Sequence, residues 1–148
     1  MLKWIDILQF ASKGNPVPHR RVEKTEEKWK EILTPEEFHI TRKKGTERPF
    51  TGEHCEAIEP GKYSCKCCDT PLFDSTEKFD SRSGWPSFTQ PVDPSSIKYK
   101  KDQSFGMIRV EVMCNVCDAH LGHVFNDGPP PSELRYCINS VSLAKQKI

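Results

Sequence analysis

Two Cys-x-x-Cys pairs constrain this chain more than any other feature. Cys65-Lys66-Cys67-Cys68 and Cys114-Asn115-Val116-Cys117 each sit at the end of a strand-like run and lead into a turn. Two such pairs bring four thiolates, Cys65, Cys68, Cys114 and Cys117, to a tetrahedral Zn²⁺ at ~2.3 Å. The 45 residues between the pairs exceed a zinc-ribbon spacing, so two separate loops must meet in space. A redox dithiol is the competing reading of either pair, but no βαβ pattern surrounds them. A rival ligand set stays open, because Cys114, Cys117, His120 and His123 recur at every third position and allow a Cys₃His site through His120. The two pairs complete a shell without it and are preferred. A closed Cys₄ shell leaves no position for water, so this metal contributes folding energy rather than chemistry. The closed shell also counts against a zinc deaminase, whose metal must keep a position for the attacking water.

The remaining composition agrees with a small, stapled core. Of 148 residues only 35% are hydrophobic and 12 are proline, so long helices cannot dominate. Lys and Arg number 22 against 21 Asp and Glu, a net charge of +1 that argues against nucleic-acid or anionic-membrane partners. The seven cysteines are an odd number, and no small-residue cleavage site follows the apolar start from Met1 to Phe10. A reducing, cytoplasmic setting is the expectation, where paired cysteines signal metal or catalysis.

Along the chain, Leu2, Trp4, Ile5, Leu8 and Phe10 suit a short helix, and Gly14 to Pro18 reads as a linker. Glu23 to Leu33 reads as a helix. Thr34-Pro35-Glu36-Glu37 starts another, with Thr34 and Glu37 as a capping box and an end near Gly45. Beyond Gly45, strands are expected at Lys62–Cys65, Phe105–Met113, Val124–Phe125 and Cys137–Leu143. In the second of these Ile108, Val110 and Val112 form an apolar face and Met107, Arg109, Glu111 and Met113 the other. The expected plan is a helical segment and linker over 1–24, a single zinc-containing domain over 25–143, and a tail over 144–148. The fold class is mainly β (α+β) with short N-terminal helices.

Three clusters carry chemistry. In Arg135-Tyr136-Cys137-Ile138-Asn139, period two puts Arg135, Cys137 and Asn139 on one face. A guanidinium beside a thiol favours the thiolate; the bland alternative is a small buried hydrophobe. The run from Asp118 to Gly128 holds His120, His123 and Asp127 in what reads as a Gly-rich loop, dense in acid–base groups. Trp85, between Gly84 and Pro86, either plugs the core or walls a pocket.

With those residues in view, the chain resembles the methionine-R-sulfoxide reductases of the B type. The resemblance runs from Thr34 to Leu143. It rests on Arg48-Pro49-Phe50-Thr51-Gly52, the two Cys-x-x-Cys pairs, Lys78-Phe79-Asp80-Ser81, Gly84-Trp85-Pro86-Ser87-Phe88, Asp118 to Phe125, Asp127-Gly128-Pro129 and Arg135 to Ser140. It implies two antiparallel sheets, a structural Cys₄ zinc and reduction of the R epimer of methionine sulfoxide, in oxidised proteins or as the free amino acid. It also implies Cys137 as nucleophile, with His120, His123, Asp127, Arg135 and Asn139 as polar active-site groups. Trp85 matches the wall that receives the substrate methyl group. His123 is the first candidate for proton donor, supported by His120 or Asp127. The product on Cys137 is a sulfenic acid, recycled by thioredoxin or another thiol, and the chain is expected to act as a monomer. Many members carry a resolving cysteine where this chain has Ser83, so Cys55 is the leading internal candidate to replace it, Cys67 between two zinc ligands is second, and direct attack by an external thiol is the alternative. The readings from other classes are a non-catalytic zinc-stapled binding module and a chaperone-like protein. Turnover of methionine sulfoxide with dithiothreitol separates them from the enzyme.

Overall fold

Nine strands and three helices follow one another in the computed structural model, which describes residues 1–55, 60–103 and 109–147. The helices come first: α1 (Trp4–Lys13), α2 (Glu26–Ile32) and α3 (Pro35–Arg42). Thr25 caps α2 through the Lys28 amide, which shortens the helix expected from Glu23. In α3 the capping box forms as expected, with Glu37 N–H donating to Thr34 Oγ1 and Thr34 N–H to Glu37 Oε1.

The strands are β1 (Gly61–Cys65), β2 (Pro71–Asp74), β3 (Lys78–Phe79), β4 (Ser87–Phe88), β5 (Ile97–Asp102), β6 (Arg109–Cys114), β7 (His120–Phe125), β8 (Arg135–Ile138) and β9 (Leu143–Lys147). They form two antiparallel sheets, one in the order β2-β1-β9 and one in the order β3-β4-β8-β7-β6-β5. Mainly β structure with short N-terminal helices is what the sequence indicated. The sheets meet through aromatic rings: Phe88 of β4 lies 4.5 Å from Phe73 of β2 and 5.2 Å from Tyr63 of β1. Phe73 also meets Tyr136 of β8 edge-on at 5.6 Å. The Tyr99 and Tyr136 hydroxyls bond to each other at 2.6 Å, so neither buried phenol is left unpaired.

Several expectations are corrected. The strand expected over Cys137–Leu143 is two strands, because Asn139 ends β8 and Ser140–Ser142 form a 3₁₀ turn before β9. The chain past Leu143, expected as a tail, runs on as β9 along β1. Phe105 to Ile108 of the expected second strand lie outside the described residues. The face opposite Val110 and Val112 is buried as well: Glu111 is 3% and Met113 7% exposed. The Gly14–Pro18 linker is pinned, since Asn15 both donates to the Tyr99 carbonyl and accepts from its amide, and Asn115 donates to the Pro16 carbonyl. Ahead of it, α1 buries Ile7 and stacks Phe10 on Tyr99 at 5.6 Å. Among the described residues no helix is long and apolar enough to cross a membrane.

Candidate active site and metal centre

The tips of two hairpins bring the cysteine pairs together. In each, a residue after the pair takes a left-handed conformation, Asp69 at φ 66° and Asp118 at φ 65°. Its amide closes the turn on the first cysteine: Asp69 N–H to Cys65 O and Asp118 N–H to Cys114 O, both 2.8 Å. The four sulfurs lie within 4.8 Å of one another, with Cys65–Cys117 at 3.7 Å and Cys68–Cys114 at 3.6 Å. A thiolate tetrahedron with ~2.3 Å bonds has sulfur–sulfur edges of roughly 3.8 Å, so the donor set fits such an ion. Cys65, Cys68, Cys114 and Cys117 are thus positioned to hold a metal. His120 stands outside the cluster with its Nδ1 bonded to Glu111, which removes the rival Cys₃His set. Three arginines brace the tips: Arg20 donates to Cys68 O, Arg21 to Asn115 O and Asp118, and Arg42 to Cys117 O at 2.7 Å.

The second centre is a cleft of about 290 Å³ whose walls include Ser83, Trp85, Arg109, His120, His123, Arg135, Cys137 and Asn139. The histidines stand on β7, not in the loop the sequence suggested. Positions 120 and 123 of a regular strand face opposite ways. Here the register slips: Met113 pairs with His120 and Val112 with Gly122, so Leu121 is the extra residue of a bulge. The bulge turns both imidazoles to the same side, 5.8 Å apart and edge to face. Asn139 holds it open, its backbone and side-chain amides both donating to Leu121 O while its Oδ1 accepts from the Glu47 amide. Its side chain is therefore committed to backbone groups at the edge of the cleft. Gly122 leaves room for β8, since a Cβ there would come within 2.0 Å of Cys137 O.

Cys137 pairs across the ladder with His123 on one side and Ser87 on the other. Burial pushes its thiol up, and the Arg135 charge and the Ser83 hydroxyl only partly offset this. The expected dominance of Arg135 is corrected: desolvation outweighs a guanidinium whose own charge is shared with Asp127. Arg135 Nε donates to Asp127 Oδ1 at 2.8 Å, and the guanidinium lies 4.4 Å over the Phe125 ring. Asp127 thus serves Arg135, not the histidines. The carboxylates behind the histidines were missed. Asp102 of β5 bonds His123 Nε2 at 2.7 Å, and Glu111 of β6 bonds His120 Nδ1 at 2.8 Å. Burial pulls His123 down, more than Asp102 raises it.

Trp85 is half-buried and lines the cleft, with its indole N–H donating to Glu47 O at 3.1 Å. Its loop is locked to the Arg48–Gly52 turn by Phe50 N–H to Gly84 O, and Gly84 (φ 94°) has no room for a Cβ beside Pro49. Cys55 lies in the following turn, partly buried, with its amide donating to Gly52 O and its carbonyl accepting from Lys78.

The family model described as SelR domain matches residues 33–147. The peptide methionine sulfoxide reductase MsrB of Saccharophagus degradans is 58% identical over 124 residues, 84% of this chain and 92% of its own length. The protein of the same name from Pseudomonas syringae pv. syringae is 58% identical over 123 residues, 83% of this chain and 94% of its own. That of Azotobacter vinelandii is 56% identical over 123 residues, with 83% and 92% covered. A metal-ready cysteine cluster, a thiol facing two histidines and a match across nearly all of the β domain agree, and the chain belongs to the SelR domain family.

Proposed function

We propose that this chain reduces the R epimer of methionine sulfoxide to methionine, in oxidised proteins or as the free amino acid. The observation that carries this is the Cys137 thiol paired across the ladder with His123 and facing the Trp85 wall. Trp85 takes the apolar methyl group and leaves the sulfoxide oxygen toward the histidines. Cys137 sulfur attacks the sulfoxide sulfur. The thiol proton passes through His123 to the sulfoxide oxygen as the sulfur–sulfur bond forms and the sulfur–oxygen bond breaks; the released hydroxide then attacks the Cys137 sulfur, and cleavage of the sulfur–sulfur bond leaves methionine and a Cys137 sulfenic acid. Cys137 loses two electrons and the sulfoxide gains them. A thiol then displaces water from the sulfenic acid to form a disulfide with Cys137, and a second thiol reduces that disulfide and restores Cys137. His120 stands beside His123 as the supporting group, Arg135 shapes the charge near Cys137, and Asn139 holds the bulge that aims both rings.

With Nε2 donating to Asp102, Nδ1 of His123 is the nitrogen left to take that proton. Burial favours the neutral forms of both partners, raising the thiol and lowering the imidazole. The site therefore keeps one transferable proton from about pH 6.5 to about pH 8.5, between the ordinary histidine and cysteine values. Single-turnover reduction, followed by rapid quench, should be flat across that window. It should fall below it as His123 charges and above it as the thiol proton is lost. A bell with both half-points inside the window would contradict this inventory.

The cysteine cluster holds one structural zinc, and the metal takes no part in the reductive step because four thiolates close its shell. The chain works as a monomer in the cytoplasm, where a reducing setting keeps the cysteine cluster intact. Thioredoxin or another thiol serves as reductant. Ser83 sits against Cys137 and cannot form a disulfide, so Cys55 or the external thiol must resolve the sulfenic acid. The reading is tested by offering each epimer with dithiothreitol, then with thioredoxin. Only the R epimer should be consumed, and exclusive use of the S epimer would refute it. After one equivalent of substrate, a Cys55–Cys137 disulfide identifies the internal route, and a persistent sulfenic acid identifies direct reduction.

A further inference from the structure

Glu111 is a carboxylate almost wholly inside the protein, 3% exposed, on the strand beside His120. Both its oxygens are used: Oε2 lies 2.8 Å from His120 Nδ1, and Oε1 accepts from Lys44 Nζ at 3.1 Å. Lys44 reaches in from the turn after α3, where it takes a left-handed φ of 58°. We propose that Glu111, held by Lys44, is a positioning residue that fixes His120 as its Nδ1–H tautomer and leaves Nε2 to the cleft. The proposal deepens the reductase reading and rests on it for its kinetic arm.

The argument is one of donors and acceptors. Burial opposes ionisation of Glu111, yet the His120 bond and charge and then Lys44 hold its carboxyl below the usual range. An ionised carboxylate only accepts, so His120 Nδ1 must donate. Nε2 is then the acceptor among the other charged and titratable groups of the cleft: His123 on the same strand, Arg109 of β6, and Arg135 and Cys137 of β8. His123 is held the opposite way, through Nε2 to Asp102, which also accepts from Arg109. Two adjacent imidazoles thus offer different nitrogens to one substrate. When a proton arrives on His120 Nε2, the Glu111 charge stabilises the imidazolium, as the carboxylate behind the histidine does in serine proteases.

The test uses the zinc-loaded full chain. Long-range ¹⁵N spectra of the histidine side chains should show His120 as the Nδ1–H tautomer, and an Nε2–H pattern overturns the proposal with no variant needed. Glu111→Gln should lower kcat for the R sulfoxide with dithiothreitol by roughly 10–100-fold, the usual worth of such a supporting partner, with KM little changed. Glu111→Asp, which keeps the charge, should recover part of that loss. A folded Glu111→Gln protein with unchanged kcat, or with only KM altered, overturns the proposal. If Glu111→Gln does not fold, the tautomer of the native chain decides. If the native chain consumes no R sulfoxide, the reductase reading fails while the tautomer result stands on its own.

Discussion

Cys137→Ser should abolish reduction of the R sulfoxide while the protein stays folded and metal-loaded. The hydroxyl that replaces the thiol cannot be oxidised to a sulfenic acid, so no slow version of the same chemistry remains. Loss of an enzymatic nucleophile elsewhere costs on the order of 10⁶ in kcat. Stability should hold because Cys137 is only partly buried at the cleft wall and belongs to no part of the cysteine cluster. The measurement is a single turnover with a sulfenic-acid trap, beside metal content and melting temperature. Reduction of the R epimer within a hundredfold of the native rate would remove Cys137 from its role. His123→Ala is the graded companion, expected to slow the same step by roughly 10²–10⁴.

Cys114→Ser should release the metal and unfold the domain. Cys114 is fully buried, and its sulfur stands 3.6 Å from Cys68. Structural zinc contributes an apparent ~10–16 kcal/mol at pH 7, against total domain stabilities of ~5–15 kcal/mol, so no reserve covers its loss. The effect spreads because β1, β6 and the braces from Arg20, Arg21 and Arg42 all end on the two tips. Far-UV circular dichroism and zinc content read the outcome together. A Cys114→Ser protein with full zinc and an unchanged melting temperature would refute the ligand set. His120→Ala should keep the metal, since its ring stands outside the cluster.

What the sequence made legible was local chemistry with a short signature. The cysteine pairs, the Thr34 capping box and the Cys137 run are read from spacings of two to four residues, and each stands where those spacings put it. The histidines were identified, but of their strand only the end, Val124–Phe125, was. A bulge at Leu121 breaks period two, and nothing in His120 to His123 announces that an extra residue will be inserted. Asp102 and Glu111 were overlooked for a related reason. On alternating strands such as Lys98 to Asp102 and Arg109 to Met113, charged positions read as a solvated face. On β6 that face is covered by residues distant in sequence, with Lys44 lying 67 positions from Glu111. Burial also reversed the expectation for Cys137, because desolvation depends on what packs around a thiol and not on its flanking residues.

Outside α1's own bonds, the first 22 residues are tied mainly to partners far downstream. Leu2 exchanges bonds with Gln90, Asn15 with Tyr99, and Pro16 and Val22 with Asn115 and Val116, separations of 84 to 99 residues where measured by side-chain bonds. During synthesis at ~5–20 residues per second, these partners emerge roughly 5–20 s after the segment that needs them. For that interval the apolar side of α1, with Ile7 and Phe10, has nothing to cover it. This segment is therefore the part of the nascent chain most exposed to chaperones and to premature association. Its last partners, Asn115 and Val116, lie inside the second cysteine pair, so docking is complete only once that pair has left the ribosome.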